Sequence, residues 1–313
     1  FLAQAASNIV EWRDNFSANR KETKMTSISR REFLHYTAAV PAFAMVAQAY
    51  AQAPAMRLGL CTYLWGKDWD LPAILKNCAA TGVPGVELRV EHAHNVSPAL
   101  TPEQRADVKK QFADSDIVFV GMGTNQAFDS PKPEVLKKSI EETKAYILLS
   151  QDCGGSGVKV KPNDFQRNIP HEVTIEQIGK SLNEVAAFGA DHGQQIRLEV
   201  HGSCCEPPTI KAIMDVATHP NVKVCWNCND QDTEGAGFQA NFDMLKGRFG
   251  DTVHVRELNI GSYPYQDLIA NLVKMNYGGW VLLEARTEPA DRVAALAEQA
   301  KLFQEMVAKA KNA

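Results

Sequence analysis

Ile196-Arg197-Leu198-Glu199-Val200-His201 is a short β-rich run that closes on polar residues. A helical stretch over Pro208–Ala217 separates it from the next such run, Lys223-Val224-Cys225-Trp226, which leads into Asn227. A short apolar run, a longer amphipathic segment and another short run are how a βα unit of a parallel sheet reads. Outward from this pair the pattern repeats from Arg57 onward. Strands are predicted over Arg57–Thr62, Gly85–Arg89, Ile117–Met122, Gly157–Lys161, Ile196–Val200, Lys223–Trp226, Thr252–Arg256 and Trp280–Glu284. Helices are predicted over Pro72–Ala80, Pro102–Ala113, Pro133–Leu149, Ile175–His192, Pro208–Ala217, Phe238–Arg248, Tyr265–Met275 and Pro289–Lys309.

Eight strands alternating with eight helices, with no second block of different composition, favour a closed (β/α)8 TIM barrel over an open doubly wound sheet. No G-x-G-x-x-G follows the first strand, so the main dinucleotide-binding signal is missing. Thr101-Pro102-Glu103 reads as an N-cap with proline in the first turn, and Gly82, Gly193 and Gly278-Gly279 fall where helices should end.

The chain has 313 residues, room for one barrel domain of about 250. A net charge of −4 supplies no basic field for a nucleic-acid backbone, so no nucleic-acid partner is expected. No apolar run reaches the roughly 18 residues that a membrane span needs. Ser29-Arg30-Arg31-Glu32-Phe33-Leu34, the Ala- and Val-rich stretch from Tyr36 to Tyr50, and the small-x-small sites around Ala51 and Ala53 resemble a Tat-type export signal, with Met25 as the expected start. Residues 1–53 are therefore read as an N-terminal extension with a Tat-type signal, 54–313 as the barrel domain, and the expected location is periplasmic or otherwise exported. The seven cysteines (61, 78, 153, 204, 205, 225, 228) read as buried thiols near strand ends. Cys225 and Cys228 have C-x-x-C spacing, but no second pair completes a zinc site.

In such a barrel the chemistry sits at the C-terminal ends of the strands. Four polar residues end apolar runs there: Glu199, Asn227, His254 and Glu284. They are separated by 28, 27 and 30 residues, about one βα unit each, so four successive strands should bring them to one mouth. Two carboxylates and an imidazole converging suit one divalent metal ion: Mn, Mg, Co or Zn.

Leu198-Glu199-Val200-His201, Trp226-Asn227, Val253-His254-Val255-Arg256-Glu257 and Leu283-Glu284-Ala285 resemble the xylose isomerase-like sugar isomerase/epimerase superfamily over about residues 57–310. That superfamily also contains ketose 3-epimerases, inosose dehydratases and endonuclease IV. The resemblance implies a metal set of Glu199, Asn227, His254 and Glu284, with Asn227 standing where the family usually has Asp. Asn229 and Asp230 are the nearby substitutes if the register differs. It also implies that Glu199 and Glu284 are the catalytic acid/base pair, on a small-molecule carbohydrate; metal ligation lowers a carboxylate's basicity, so a non-ligating base such as Glu87 or His201 stays open.

Glu87, His201, Arg256, Lys159 and Lys161 are the expected substrate-binding residues; Glu87 could instead pair with Arg89 at the rim. The two lysines alternate on one face of the fourth strand, where they would be costly without an anion. Tyr63, Trp65 and Trp69 in the first βα loop could stack on a sugar ring or simply pack.

Three functions stay open. They are an isomerase or epimerase of a sugar, keto-sugar or cyclitol; a lyase or dehydratase of keto-sugars or 3-keto-glycosides; and a non-catalytic sugar-binding barrel. An endonuclease would need a larger metal cluster and a basic groove, and no G-x-S-x-G elbow supports a serine hydrolase. Oligomeric state is open too; barrels of this family often pair, which would give a homo-oligomer.

Overall fold

The computed structural model describes residues 56–313. The reading of an export signal falls on residues outside those described. Each apolar run becomes a strand: β1 (Arg57–Cys61), β2 (Gly85–Arg89), β3 (Val118–Ala127), β4 (Gly157–Lys161), β5 (Gln195–Glu199), β6 (Val222–Cys225), β7 (Thr252–Val255) and β8 (Trp280–Leu283). The helices between and after them are α1 (Leu71–Thr81), α2 (Pro102–Ala113), α3 (Pro133–Cys153), α4 (His171–Asp191), α5 (Pro207–Val216), α6 (Phe238–Leu245), α7 (Tyr265–Lys274) and α8 (Arg292–Lys311).

Local chemistry sets the ends. Asp70 caps α1 by accepting from the Ala73 N–H at 2.9 Å. Thr101 and Gln104 form a reciprocal capping box at the start of α2. Gly82 and Gly154 close α1 and α3 in the left-handed conformation, φ 70° and 90°, which costs a glycine little.

Neighbouring strands pair in parallel in the order β6-β5-β4-β3-β2-β1-β8-β7. The remaining gap, between β6 and β7, is bridged by single bonds rather than a ladder. The Gly250 N–H donates to the Val224 carbonyl at 2.9 Å, and the His254 N–H donates to the Trp226 carbonyl at 2.7 Å. The backbone of the predicted metal-binding histidine is thus itself part of the closure.

Alternation along each strand divides two environments. Leu58 and Leu60, Val158 and Val160, Ile196 and Leu198, and Val253 and Val255 join the core shared with the helices. A separate small cluster of Cys61, Val120, Trp280 and Leu282 packs apart from that core. Arg197 is fully buried and each of its guanidinium nitrogens has an acceptor: Nη1 donates to the Val120 carbonyl, Nη2 to Ser156 Oγ and Nε to Gln195 Oε1. Gly157 makes its room, since a Cβ there would stand 2.7 Å from Arg197 Cζ.

Two boundaries differ from the sequence-based expectation in ways that matter. β3 continues past Met122 to Ala127, through Gly-Thr-Asn-Gln, and carries Asn125 toward the end of the barrel. α6 stops at Leu245 and passes into a 3-10 turn over Lys246–Arg248 rather than running on as α-helix. All seven cysteines are buried and unpaired. No described helix is long and apolar enough to cross a membrane.

Candidate metal and sugar site

His254 is the centre of the site. It is fully buried on β7, and both ring nitrogens lack an aligned hydrogen-bond partner. Nε2 lies 3.1 Å from Oε1 of Glu87, and Nδ1 lies 3.6 Å from Oε1 of Glu199 and 3.9 Å from Oε2 of Glu284. Glu199 is the last residue of β5, and Glu284 follows the last residue of β8. Against burial, which opposes charge, Cys225 and Glu87 pull the imidazole well above its ordinary pKa.

Glu199, His254 and Glu284 each offer one ligand atom, and these atoms lie within 4.8 Å of one another. Carboxylate–metal and imidazole–metal bonds of about 2.0–2.2 Å are compatible with that spacing. A buried imidazole nitrogen that looks at two carboxylates and has no aligned partner is what a cation site needs, so these residues fit a divalent ion. Cys61, Glu87 and His254 meet the same distance criterion on the other side of the ring. There the Cys61 thiol already donates to Oε1 of Glu87 at 3.6 Å, and burial followed by Glu87 pushes its pKa well up.

The remaining sequence-predicted residues divide into those at the cluster and those around it. Lys159 is fully buried and paired with Oε2 of Glu199 at 2.5 Å. Burial alone would raise the Glu199 carboxyl, but Lys159 and His254 hold it well below the usual carboxylate range. Glu87, expected to bind substrate, is fully buried beside His254 and Cys61. It does not pair with Arg89, whose guanidinium turns to the carbonyls of Gly123 and Thr124 and to Asn125 Oδ1.

Asn227 is buried, and its amide N–H donates to the Val200 carbonyl at 3.2 Å, so its carbonyl oxygen is the atom a cation would use. Asn229 donates to the same carbonyl, whereas Asp230 is exposed in a 3-10 turn. Lys161, His201 and Arg256 are half-buried, and His201 Nδ1 and Arg256 Nε have no partner.

The loop aromatics pack. Trp65 is buried and donates to the Thr287 carbonyl, while Tyr63 and Trp69 lie under Arg89 and Arg292. Glu257 accepts from the Arg286 and Thr287 backbone N–H groups and so fixes the segment that follows Glu284.

Sequence reasoning passed over Cys61 and Asp232. Cys61 ends β1, where alternation could have pointed it inward beside Glu87. Asp232 is buried in a 3-10 turn that no periodicity marks; burial lifts its pKa to about 7 although Tyr263 and the Asn229 N–H donate to it.

The xylose isomerase-like TIM barrel family model matches residues 75–306. The chain belongs to this family. Among solved structures, this family member is similar to 3-keto-D-glucoside 4-epimerase from E. coli, with 13% identity, TM-score 0.68, and coverage of 80% of this chain and 99% of the other. It is similar to D-psicose 3-epimerase, solved in the presence of D-fructose, with 16% identity, TM-score 0.67 and coverage of 80% and 97%. A third is the IOLI protein with a bound zinc atom, with 16% identity, TM-score 0.68 and coverage of 81% and 99%. At these identities the likeness is one of fold.

Proposed function

We propose that the protein is a divalent-metal-dependent isomerase or epimerase of a sugar, keto-sugar or cyclitol, working by proton abstraction next to a carbonyl. The observation that carries this reading is His254 Nδ1: a buried nitrogen with no aligned partner, facing Glu199 and Glu284. Glu199, His254 and Glu284 would hold the ion, with the Asn227 carbonyl oxygen as a further donor. When bound, it would polarise the substrate carbonyl and adjacent hydroxyl and so ease loss of the α-proton.

The two carboxylates differ in a way that suggests their roles. Glu199 is held charged by Lys159, which makes it the weaker base. Glu284 has no lysine partner among the described residues and is assigned to take the α-proton. The Glu199–Lys159 pair is assigned to return a proton on the other face, the ammonium giving it up and Glu199 relaying it; the proton left on Glu284 passes to solvent and the amine takes one back. Sugar epimerases among the structural neighbours, one solved with D-fructose, support the substrate class.

A lyase acting on keto-sugars or 3-keto-glycosides is the second reading. It is favoured by a spare pair of titratable groups, Lys161 and His201. Burial holds both below their ordinary pKa values, Lys161 at about 8. Elimination needs an acid for the leaving group, which epimerisation does not.

Metal-loaded protein should be incubated with neutral ketoses, with ketose phosphates and keto-uronates, and with 3-keto-glycosides in deuterated water. Deuterium entering beside the carbonyl, and lost in Glu284→Gln, supports the proposal; an epimer as product selects the first reading and an unsaturated product the second. No exchange with any of these substrates at full metal occupancy would leave a non-catalytic sugar-binding barrel. Export remains a proposal resting on residues 29–53, and fractionation of cells carrying Arg30→Lys/Arg31→Lys tests it.

A further inference from the structure

Two cations at the end of the barrel share one neutral oxygen. Arg89, the last residue of β2, is buried, and its Nη2 donates to Asn125 Oδ1 at 3.0 Å. Lys161, the last residue of β4, donates from Nζ to the same oxygen at 3.4 Å. The other partners of Arg89 are the Gly123 and Thr124 carbonyls at 3.5 and 3.4 Å, both at the edge of bonding distance, and the Tyr63 ring, 5.7 Å away; its Nε has none. Among the described residues neither Arg89 nor Lys161 has a carboxylate within salt-bridge distance.

Cys61 and the carboxylates of Glu199, Glu284 and Glu87 offset the burial of Arg89 from beyond salt-bridge distance; an ion held by those carboxylates would weaken that compensation, and Lys161 beside Arg89 adds repulsion. Arg197 shows what a guanidinium satisfied by protein looks like in this barrel, each nitrogen having a polar acceptor. Arg89 is not satisfied in that way. The charges of the wider site point in the same direction. Lys159 and Arg89 interact with the carboxylates of Glu87, Glu199 and Glu284, and Lys161 with those of Glu199 and Glu284. A divalent ion at the carboxylates would leave the mouth with excess positive charge.

The geometry points to an oxyanion subsite formed by Arg89, Asn125 and Lys161, which receives a carboxylate or phosphate group carried by the substrate. The substrate is then an acidic sugar, such as a uronate or a sugar phosphate, rather than a neutral ketose. Arginine suits this role because its planar fork pairs with two oxyanion oxygens at once, and Lys161 adds a point charge. Asn125 is exposed and accepts from both cations, so an anion that takes the place of its oxygen meets half-buried Lys161 and buried Arg89 together. The substrate class rests on the sugar reading above, whereas the anion subsite itself does not.

Calorimetry on the full chain as purified, with metal content measured in parallel, tests this with inorganic phosphate, D-glucuronate, D-glucose 6-phosphate and D-glucose. Phosphate binding should be measurable, and at least one acidic sugar should bind tenfold or more tightly than D-glucose; which of the two does so names the oxyanion. Lys161→Gln should weaken phosphate and acidic-sugar binding about tenfold without changing metal content. Asn125→Asp, which sets a resident carboxylate between the cations, should abolish it. Equal affinity for charged and neutral sugars, or phosphate binding unchanged in Lys161→Gln and Asn125→Asp, would overturn the proposal. Oxyanion binding at this rim without any proton exchange would leave the subsite standing and remove the epimerase reading instead.

Discussion

The ammonium of Lys159 lies 2.5 Å from Oε2 of Glu199, and both side chains are shut off from solvent. Removing one partner of such a pair leaves an uncompensated buried charge. Lys159→Met should therefore destabilise the protein by about 3–5 kcal/mol in urea unfolding. Lys159→Met/Glu199→Gln should recover much of that loss, because no bare charge remains. A bound divalent ion can neutralise Glu199 in place of the lysine, so added Mn2+ should shrink the loss in the single variant and not in the double. Equal losses in single and double variants would show that packing, not charge, is what Lys159 supplies.

Gly123 leaves the space that Glu87 and Arg89 occupy. A Cβ at this position would stand 2.6 Å from Glu87 Oε1 and 3.1 Å from Arg89 Cδ. Gly123→Ala should push Glu87 against His254, and metal affinity should fall by about 10–100-fold, as when groups that orient a metal ligand are disturbed. Titration with Mn2+ or Zn2+ measures this directly. An unchanged dissociation constant would mean that Glu87 does not orient His254.

Much of this arrangement is legible in the chain. The eight apolar runs, six of them closing on or leading into Glu, Asn, His or a basic residue, give both the barrel and the side at which Glu199, His254 and Glu284 meet, because register ties strand ends together. Depth is less legible. Glu87 and Arg89 share one face of β2 at a spacing of two, which fits either a rim ion pair or two separate layers. The pairing of Glu87 with Cys61 on β1, two positions before β2 ends at Arg89, sets it beside His254 and leaves Arg89 above. Asn125 escapes sequence reading because Gly123 and Asn125 itself are depleted in strands, and the run is carried on as strand by the pairing of Ala127 with Lys161 on β4. Asp232 escapes because a 3-10 turn has no hydrophobic period.

Asp232 should give the stability curve a pH-dependent component of definite sign. Burial lifts its pKa from the ordinary 3.8 to about 7. Between those values the folded chain keeps a proton that the unfolded chain has released. The group's contribution to stability is therefore lost as pH rises from about 4 to about 7, then stays constant. Asp232→Asn removes this dependence. Relative to wild type, the variant should gain about 2–3 kcal/mol between pH 5 and pH 8.5. Parallel curves for the two proteins across that range would refute the assignment.

Trp226 packs among Phe238, Phe242 and Phe249, and its indole N–H donates to the Tyr263 hydroxyl at 2.8 Å. The same residue offers the carbonyl to which the His254 N–H donates across the β6–β7 gap. Trp226→Ala should cost about 3–5 kcal/mol of stability in urea unfolding. Amide exchange at His254 should speed up more than exchange at Leu60 on β1, since the gap opens next to the cavity. Equal acceleration at both amides would place the closing bond elsewhere.

The central claim is that Glu199, His254 and Glu284 hold one divalent ion, and elemental analysis of wild type beside Glu284→Gln tests it most directly. About one Mn, Co, Mg or Zn per chain in the wild type, reduced or lost in a Glu284→Gln variant that still folds, is the result this account predicts. No bound metal in the wild type after reconstitution with excess of each ion would contradict it.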